Sequence, residues 1–287
     1  MDKKDILDIC YDTFLKIPFV DTSVALRVRD ITDFGAAKKK LVRLYGEDTP
    51  AVVDGKTVKL GDAKNGKSVE VAPLDDFDKA RYNVIDAERV VERLMKKPGG
   101  CPWDSTQTHK SIRINMIEEA YEAVDAIDHN DLENMQEEFG DVLLQSLLQS
   151  QIARREGEFD FDDVCDGLCK KLIGRHTFIF GGDSAENADD ALMLWDKNKS
   201  VEKHYSGLKS QLESMPEAFP SLLRCQKTHR KIKKSGASVN PEGDLKAALD
   251  KKDYASAIAA CVALLSDEGL DAEVELNRIV RERIEKL

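Results

Sequence analysis

Between Ile114 and Ala153 the chain carries ten acidic residues and no Lys or Arg, in a stretch whose apolar spacing reads as two long helices. Five of the acids fall in the pattern Glu118-Glu119-x-x-Glu122 followed by Glu138-x-x-Asp141. A solvated helix would place a counter-charge four residues on, but those positions hold Glu122, Ala123, Ala126, Val142 and Gln145. Like charges at i,i+3 and i,i+4 weaken a helix by about a few tenths of a kcal/mol per pair. Burying them without a counter-charge costs more, or forces protonation. A divalent cation is the simplest remedy.

Helical geometry supports that remedy. At about 100° per residue Glu118, Glu122 and Glu119 share one edge of the first helix, and Glu138 and Asp141 lie roughly 60° apart on the second. An apolar stripe of Ile114, Ile117, Tyr121 and Val124 runs beside the first edge. Val142, Leu143, Leu144, Leu147, Leu148 and Ile152 follow the second acid pair, so both helices must bury a face. The connection Asp128-His129-Asn130-Asp131 is short and polar, which favours antiparallel neighbours with their acid edges facing. Asn130 reads as the N-cap of the second helix, with Glu133 completing a capping box. Gly140 inside that helix costs about 1 kcal/mol relative to Ala, which implies close approach by a neighbouring backbone. Carboxylate oxygens without His or Cys suit a hard cation, Mg²⁺ or Mn²⁺, rather than zinc. The competing reading is an acidic solubilising face.

The flanks carry more motifs. Upstream is Gly100-Cys101-Pro102-Trp103-Asp104-Ser105-Thr106-Gln107-Thr108-His109-Lys110-Ser111, and downstream are Lys171 to Gly181 and then Trp195, Lys199, Glu202 and Lys203. With the EExxE and ExxD pair, this order resembles the MazG family of nucleoside triphosphate pyrophosphohydrolases. Gly174 departs from the family's usual Arg, and Thr177-Phe178 from its Pro-His. The resemblance implies an all-α fold, an antiparallel helical bundle of the MazG type, here with a small N-terminal segment carrying a β-hairpin signal. It implies Mg-dependent hydrolysis of nucleoside triphosphates to a monophosphate and pyrophosphate. Glu119, Glu122, Glu138 and Asp141 are then the metal ligands, Mg²⁺ with Mn²⁺ as the alternative. Glu118 is a further ligand or the group that orients the attacking water, and all five acids are catalytic. Asp125, on the same face, is read as supporting them.

Candidate cations for the phosphates lie outside the acid stretch. Lys171 and Arg175 are either phosphate contacts or cations complementing a helix C-terminus. Trp195 either covers the base with Lys199 nearby or packs with Leu192 and Leu194 in a core. Trp103 and His109 either shape the pocket or are packing features. The apolar run Leu143 to Ile152 is too long for this helical group alone to bury. A homodimer completing a four-helix bundle is the natural solution, and it is what the resemblance implies.

Composition restricts the alternatives. A net charge of −11 argues against a nucleic-acid surface. Six cysteines occur without a CxxC pair, and Cys165 and Cys169 lack a second ligand pair for zinc. Reduced thiols, no signal-peptide pattern and no apolar run long enough to span a bilayer make a cytoplasmic location the expectation, with no membrane partner.

Three segments are expected. Residues 1–80 open on a helical pattern, Ile6, Ile9, Cys10 and Phe14, followed by turn signals at Asp54-Gly55 and Asn65-Gly66; no function is assigned to them. Residues 81–205 form the MazG-like catalytic domain, led in by a helical pattern from about Phe77 that stops at Pro98-Gly99-Gly100, with helices over 112–128, 131–155 and 161–174. Residues 206–287 resemble a degenerate second MazG module. Leu222 to Lys231 matches its opening and Glu268 to Ile284 its closing helix, which places Asp253 and Ser256 where ExxD would stand. Two other functions stay open: a catalytically silent nucleotide-sensing or scaffold protein, and an all-α phosphohydrolase specific for dUTP or a phosphoribosyl-nucleotide.

Overall fold

The computed structural model describes residues 6–18, 20–74, 77 and 79–287. It divides into two compact units, Met1–Cys169 and Lys170–Leu287.

The first unit begins with a sheet. Strands β1 (Ile6–Cys10), β2 (Ala25–Arg29), β3 (Pro50–Val53), β4 (Lys56–Lys59) and β5 (Val69–Val71) are ordered β1-β2-β5-β3-β4. β1 pairs parallel with β2, and the other pairings are antiparallel. The helical start expected from Ile6, Ile9 and Cys10 is therefore a strand, and helix α1 (Tyr11–Lys16) begins only after it. The reason is non-local. β2 supplies a ladder partner for each residue from Ile6 to Cys10, and Asp8 receives both Arg27 and Arg29 from that strand.

The Asp54-Gly55 signal holds. Both residues have positive φ, 47° and 81°, between Val53 and Lys56, as the favoured two-residue hairpin turn requires. The Asn65-Gly66 signal makes no hairpin; the chain passes through it to enter β5, between β2 and β3. A Cβ on Gly66 would lie 2.3 Å from Val53 Cγ1, so the residue is needed for close approach. Helices α1 and α2 (Phe34–Tyr45) cover the sheet around a core containing Phe14, Leu26, Val28, Leu41, Leu60 and Val69.

Helix α3 (Val84–Met95) starts later than the pattern from Phe77 suggested. Asn83 caps it, accepting from the Ile85 and Asp86 amides while Asp86 accepts from Asn83 N. Helices α4 (Asn115–Asp128) and α5 (Leu132–Glu156) follow, and α6 (Phe161–Arg175) runs across the unit boundary. Val91 and Met95 of α3 meet Leu147, Leu148 and Ile152 of α5, together with Ile112, in a second core. The second half of α5 is buried there. The apolar stripe of α4 is not: Ile114, Ile117, Tyr121 and Val124 are 48–59 % exposed, and α4 instead buries Ala123 and Ala126. Gly140 likewise has no neighbour, since a Cβ there would meet nothing within 4 Å. Among the described residues the expected close approach is absent.

The N-cap of α5 is Asp131, not Asn130. Asn130 takes the left-handed conformation, φ 53°, and Asp131 Oδ1 accepts from Asn134 N at 3.1 Å. A side chain at left-handed Asn130 is one residue too early to reach the first free amides.

The second unit contains α7 (Thr177–Phe180), α8 (Ala188–Glu202), α9 (Leu208–Glu213), α10 (Ser221–Lys234), α11 (Pro241–Asp250), α12 (Tyr254–Asp267) and α13 (Ala272–Ile284). The α11–α12 turn repeats the α4–α5 turn bond for bond. Lys252 has φ 56°, Asp253 N donates to Ala248 O as Asp131 N does to Ala126 O, and Asp253 Oδ1 accepts from Ser256 N at 3.1 Å. Asp253 and Ser256 thus correspond to the cap pair Asp131 and Asn134, rather than to an ExxD. In that register Ala260 and Ala263 stand where α5 has Glu138 and Asp141. Both alanines are buried. Among the described residues no helix is long and apolar enough to cross a membrane.

Candidate active site

The α4–α5 hairpin brings three of the expected metal ligands together. Carboxylate oxygens of Glu119, Glu122 and Glu138 all lie within 4.8 Å of one another. Asp141, one turn beyond Glu138, adds its charge to both Glu119 and Glu138, and Glu118 adds its charge to Glu119. No Lys or Arg is hydrogen-bonded or ion-paired to any of the five among the described residues.

The cluster is also partly removed from water. Glu138 Oε2 is buried and has no hydrogen-bond partner. Gln145, 4 % exposed, sits one turn after Asp141 and donates Nε2–H to Glu119 Oε1 at 3.3 Å, while its own Oε1 is buried and unpartnered. Desolvation first, and the neighbouring carboxylates second, push the Glu119 and Glu138 carboxyls above the ordinary glutamate range. An unpartnered buried carboxylate oxygen among like charges is what a cation site needs. The all-oxygen donor set fits a hard divalent ion.

These shifts have a sign in stability. Each carboxyl holds its proton to higher pH in the folded state than in the unfolded chain. The folded state therefore binds more protons between the ordinary glutamate pKa and the raised one, and stability falls as pH rises through that window. In chelator, the melting temperature is expected to drop over that interval, and the drop should shrink in Glu138→Gln. A pH profile identical in wild type and variant would show that Glu138 does not carry the effect.

The motif pattern does not single out Gln145. The available signal was its place four residues after Asp141 on a face that must be buried, where a neutral amide can meet a carboxylate. The His109 reading resolves into a contact with α5, Nδ1 lying 2.5 Å from Gln149 Oε1, and Arg155 donates to the carbonyls of Ser105 and Gln107. These bonds hold the Trp103-to-His109 segment on the helix. Trp103 itself is 56 % exposed.

The remaining expected substrate contacts lie in the second unit, which holds Lys171, Arg175, Trp195 and Lys199. Arg175 is 6 % exposed and forms a forked pair with Glu202, Nε to Oε2 at 2.7 Å and Nη2 to Oε1 at 2.9 Å. Its guanidinium lies 5.1 Å from the Trp195 ring, and His176 lies 4.7 Å from the same ring. Asn198 Nδ2 ties α8 to Arg175 O and Thr177 Oγ1. Two motifs that are separate in the sequence are thus one bonded cluster, in which Glu202 holds the Arg175 fork and raises its pKa. Lys171 and Lys199 carry no ion pair among the described residues.

Residues 107–180 match the family model described as the MazG nucleotide pyrophosphohydrolase domain. The chain is 40% identical over 166 residues to the uncharacterized protein YabN of Bacillus subtilis (strain 168), covering 58% of this chain and 34% of that one. It is 37% identical over 147 residues to a nucleoside triphosphate pyrophosphohydrolase of Escherichia coli (strain K12), covering 51% of this chain and 56% of the relative. These matches span about a third and about half of those two relatives' lengths. A longer match runs to the nucleoside triphosphate pyrophosphohydrolase/pyrophosphatase MazG of Thermotoga maritima, 32% identical over 216 residues and covering 69% of this chain and 81% of the relative. With three motif carboxylates converging on one helical hairpin and a relative matched over most of its length, the chain belongs to the MazG family.

Proposed function

We propose that the protein hydrolyses nucleoside triphosphates to a nucleoside monophosphate and pyrophosphate, with Mg²⁺ as the metal and Mn²⁺ as the alternative. The observation that carries this is the convergence of Glu119, Glu122 and Glu138 around a buried, unpartnered Glu138 Oε2 in a MazG-family chain. Glu119, Glu122, Glu138 and Asp141 hold the metal. When bound, it neutralises non-bridging phosphate oxygens.

The chain's own residues do the rest. Glu118, on the exposed side of the same edge, orients a water toward the α-phosphorus and takes its proton as the new P–O bond forms. The bond from the α-phosphorus to the bridging oxygen breaks, and pyrophosphate leaves with the electron pair. Gln145 keeps Glu119 aimed at the metal. Within the second unit, Lys171 and Lys199 are the proposed phosphate contacts, and Arg175 and Glu202 set the position of Trp195, the proposed contact for the base. The α11–α12 hairpin, with alanines where the acids stand in α5, is a degenerate second copy without a metal site.

A homodimer completes the bundle. The uncovered α4 stripe, together with Phe139 and Leu143 of α5 and the open space beside Gly140, supports it. The proposed setting is the cytoplasm, with no nucleic-acid partner.

The direct test is product analysis with several nucleoside triphosphates and Mg²⁺. Monophosphate and pyrophosphate are expected from more than one base, because a base stacked on Trp195 without fixed polar partners is discriminated only weakly. Nucleoside diphosphate and orthophosphate as first products, or no turnover with any nucleotide, would end the proposal.

Gln145 gives a second test. Gln145→Leu removes an unpartnered buried oxygen and should leave the fold stable. It should reduce turnover by roughly 10- to 100-fold and raise the Mg²⁺ concentration needed for half-maximal rate. An unchanged metal dependence would show that Gln145 does not position Glu119.

A further inference from the structure

A second cleft, in the second unit alone, collects cations on a chain whose net charge is −11. It has a volume of about 770 Å³ and lies between α8, α9 and α10. Six Lys and Arg residues line it, three of them Lys197, Lys199 and Lys227, against a single carboxylate, Asp196. That carboxylate is taken by Lys234. Arg230 donates to Ser266 Oγ and Lys231 to Gln211 Oε1. No carboxylate pairs with Lys197, Lys199 or Lys227 among the described residues. Crowded cations without counter-charges repel one another and attract an anion.

The rest of the lining mixes serines and Gln211 with apolar side chains, two of them aromatic. Tyr205, Met215 and Phe219 contribute to the wall. Met215 is nearly fully buried, and Lys227 Nζ stands 5.9 Å from the Phe219 ring. Tyr205 is fixed by a hydrogen bond from Ser214 Oγ to its hydroxyl at 3.1 Å. The volume is that of a small-molecule site, with an apolar body and a few convergent polar groups. Lysine ammoniums serve as point charges for phosphate, and an aromatic face accepts any base by stacking.

We propose that this cleft is a nucleotide-binding site distinct from the acid cluster, taking a nucleoside triphosphate with its base on the Phe219 side and its phosphates on Lys197, Lys227 and Lys231. Only Lys199 is shared with the substrate contacts proposed above. The single carboxylate of the cleft is already paired, so it offers no seat for a divalent metal, and nucleotide bound there is not hydrolysed.

The test is calorimetric titration of the full chain with ATP in excess EDTA, which removes the metal needed at the acid cluster. Saturable binding is expected, weakened at least tenfold in Lys227→Met/Lys231→Met and in Phe219→Ala, and unchanged in Glu122→Gln/Asp141→Asn. Tripolyphosphate should bind more weakly than ATP and be insensitive to Phe219→Ala. The methionine substitutions keep the side-chain length, and circular dichroism confirms folding. Absence of metal-free binding, binding lost only in the acid variant, or equal affinity for ATP and tripolyphosphate would each overturn the assignment. None of these outcomes depends on whether the protein turns nucleotide over.

Discussion

Glu122→Gln and Asp141→Asn are each expected to lower pyrophosphate release by at least about a thousandfold while leaving the metal-free fold as stable as the parent or slightly more so. The two effects have one origin. Five carboxylates on α4 and α5 repel one another, and burial first, with that repulsion second, already makes Glu119 and Glu138 hold their protons above the ordinary range. Removing one charge relieves that repulsion, but it also removes a donor from the proposed cation site. Mg²⁺ should raise the melting temperature of the parent, as any ligand of the folded state does, and should raise it far less in the variants. Thermal melts with and without the ion, beside a pyrophosphate assay, check both. Full turnover in either variant would remove the acid cluster from the chemistry.

The second large effect concerns the uncovered stripe of α4. Ile117→Asp/Tyr121→Asp should convert a dimer into monomers. Ile117 is 48 % exposed and Tyr121 59 % exposed in the single chain, so charges there cost the monomer little. In a twofold interface each substitution occurs twice, and replacing buried apolar area with unpaired carboxylates should raise the dimer dissociation constant at least about a hundredfold. Sedimentation at graded concentrations reads the mass, and turnover measured on the same samples tells whether the interface also supports the site. A parent that sediments as a monomer at every concentration would refute the dimer outright.

The acid hairpin was legible in the sequence because all its information is local. The i,i+3 and i,i+4 spacing of Glu118, Glu119, Glu122, Glu138 and Asp141, and the four-residue polar turn, lie within one short stretch. What the sequence pattern does not show depends on contacts across distance. β1 looks helical by spacing, yet it is committed to the sheet by β2, beyond α1. Arg175 and Glu202 are 27 residues apart, and neither motif alone shows that each is the other's partner. Matching the C-terminal hairpin from its closing helix, across a shortened segment, sets it out of register. The turn, with Lys252 left-handed and Asp253 capping, fixes a different one. Cap preferences rank Asn and Asp alike, so the sequence does not choose between Asn130 and Asp131; backbone conformation separates them.

The placement of β5 between β2 and β3 also bears on the order in which the molecule assembles. Both α-hairpins are closed by turns of a few residues, and their contacts span short stretches of chain. The sheet cannot close that way: Leu26 must find Val71, across the whole of β3 and β4, before β1 and β2 can join the ladder of β3, β4 and β5. Long loops must be ordered before such pairings repay their entropy, so high contact order slows folding. The helical hairpins should therefore acquire amide protection early, with β2, β5 and β3 protected together and later, leaving the edges of an unfinished sheet as the stretch most open to intermolecular pairing during synthesis.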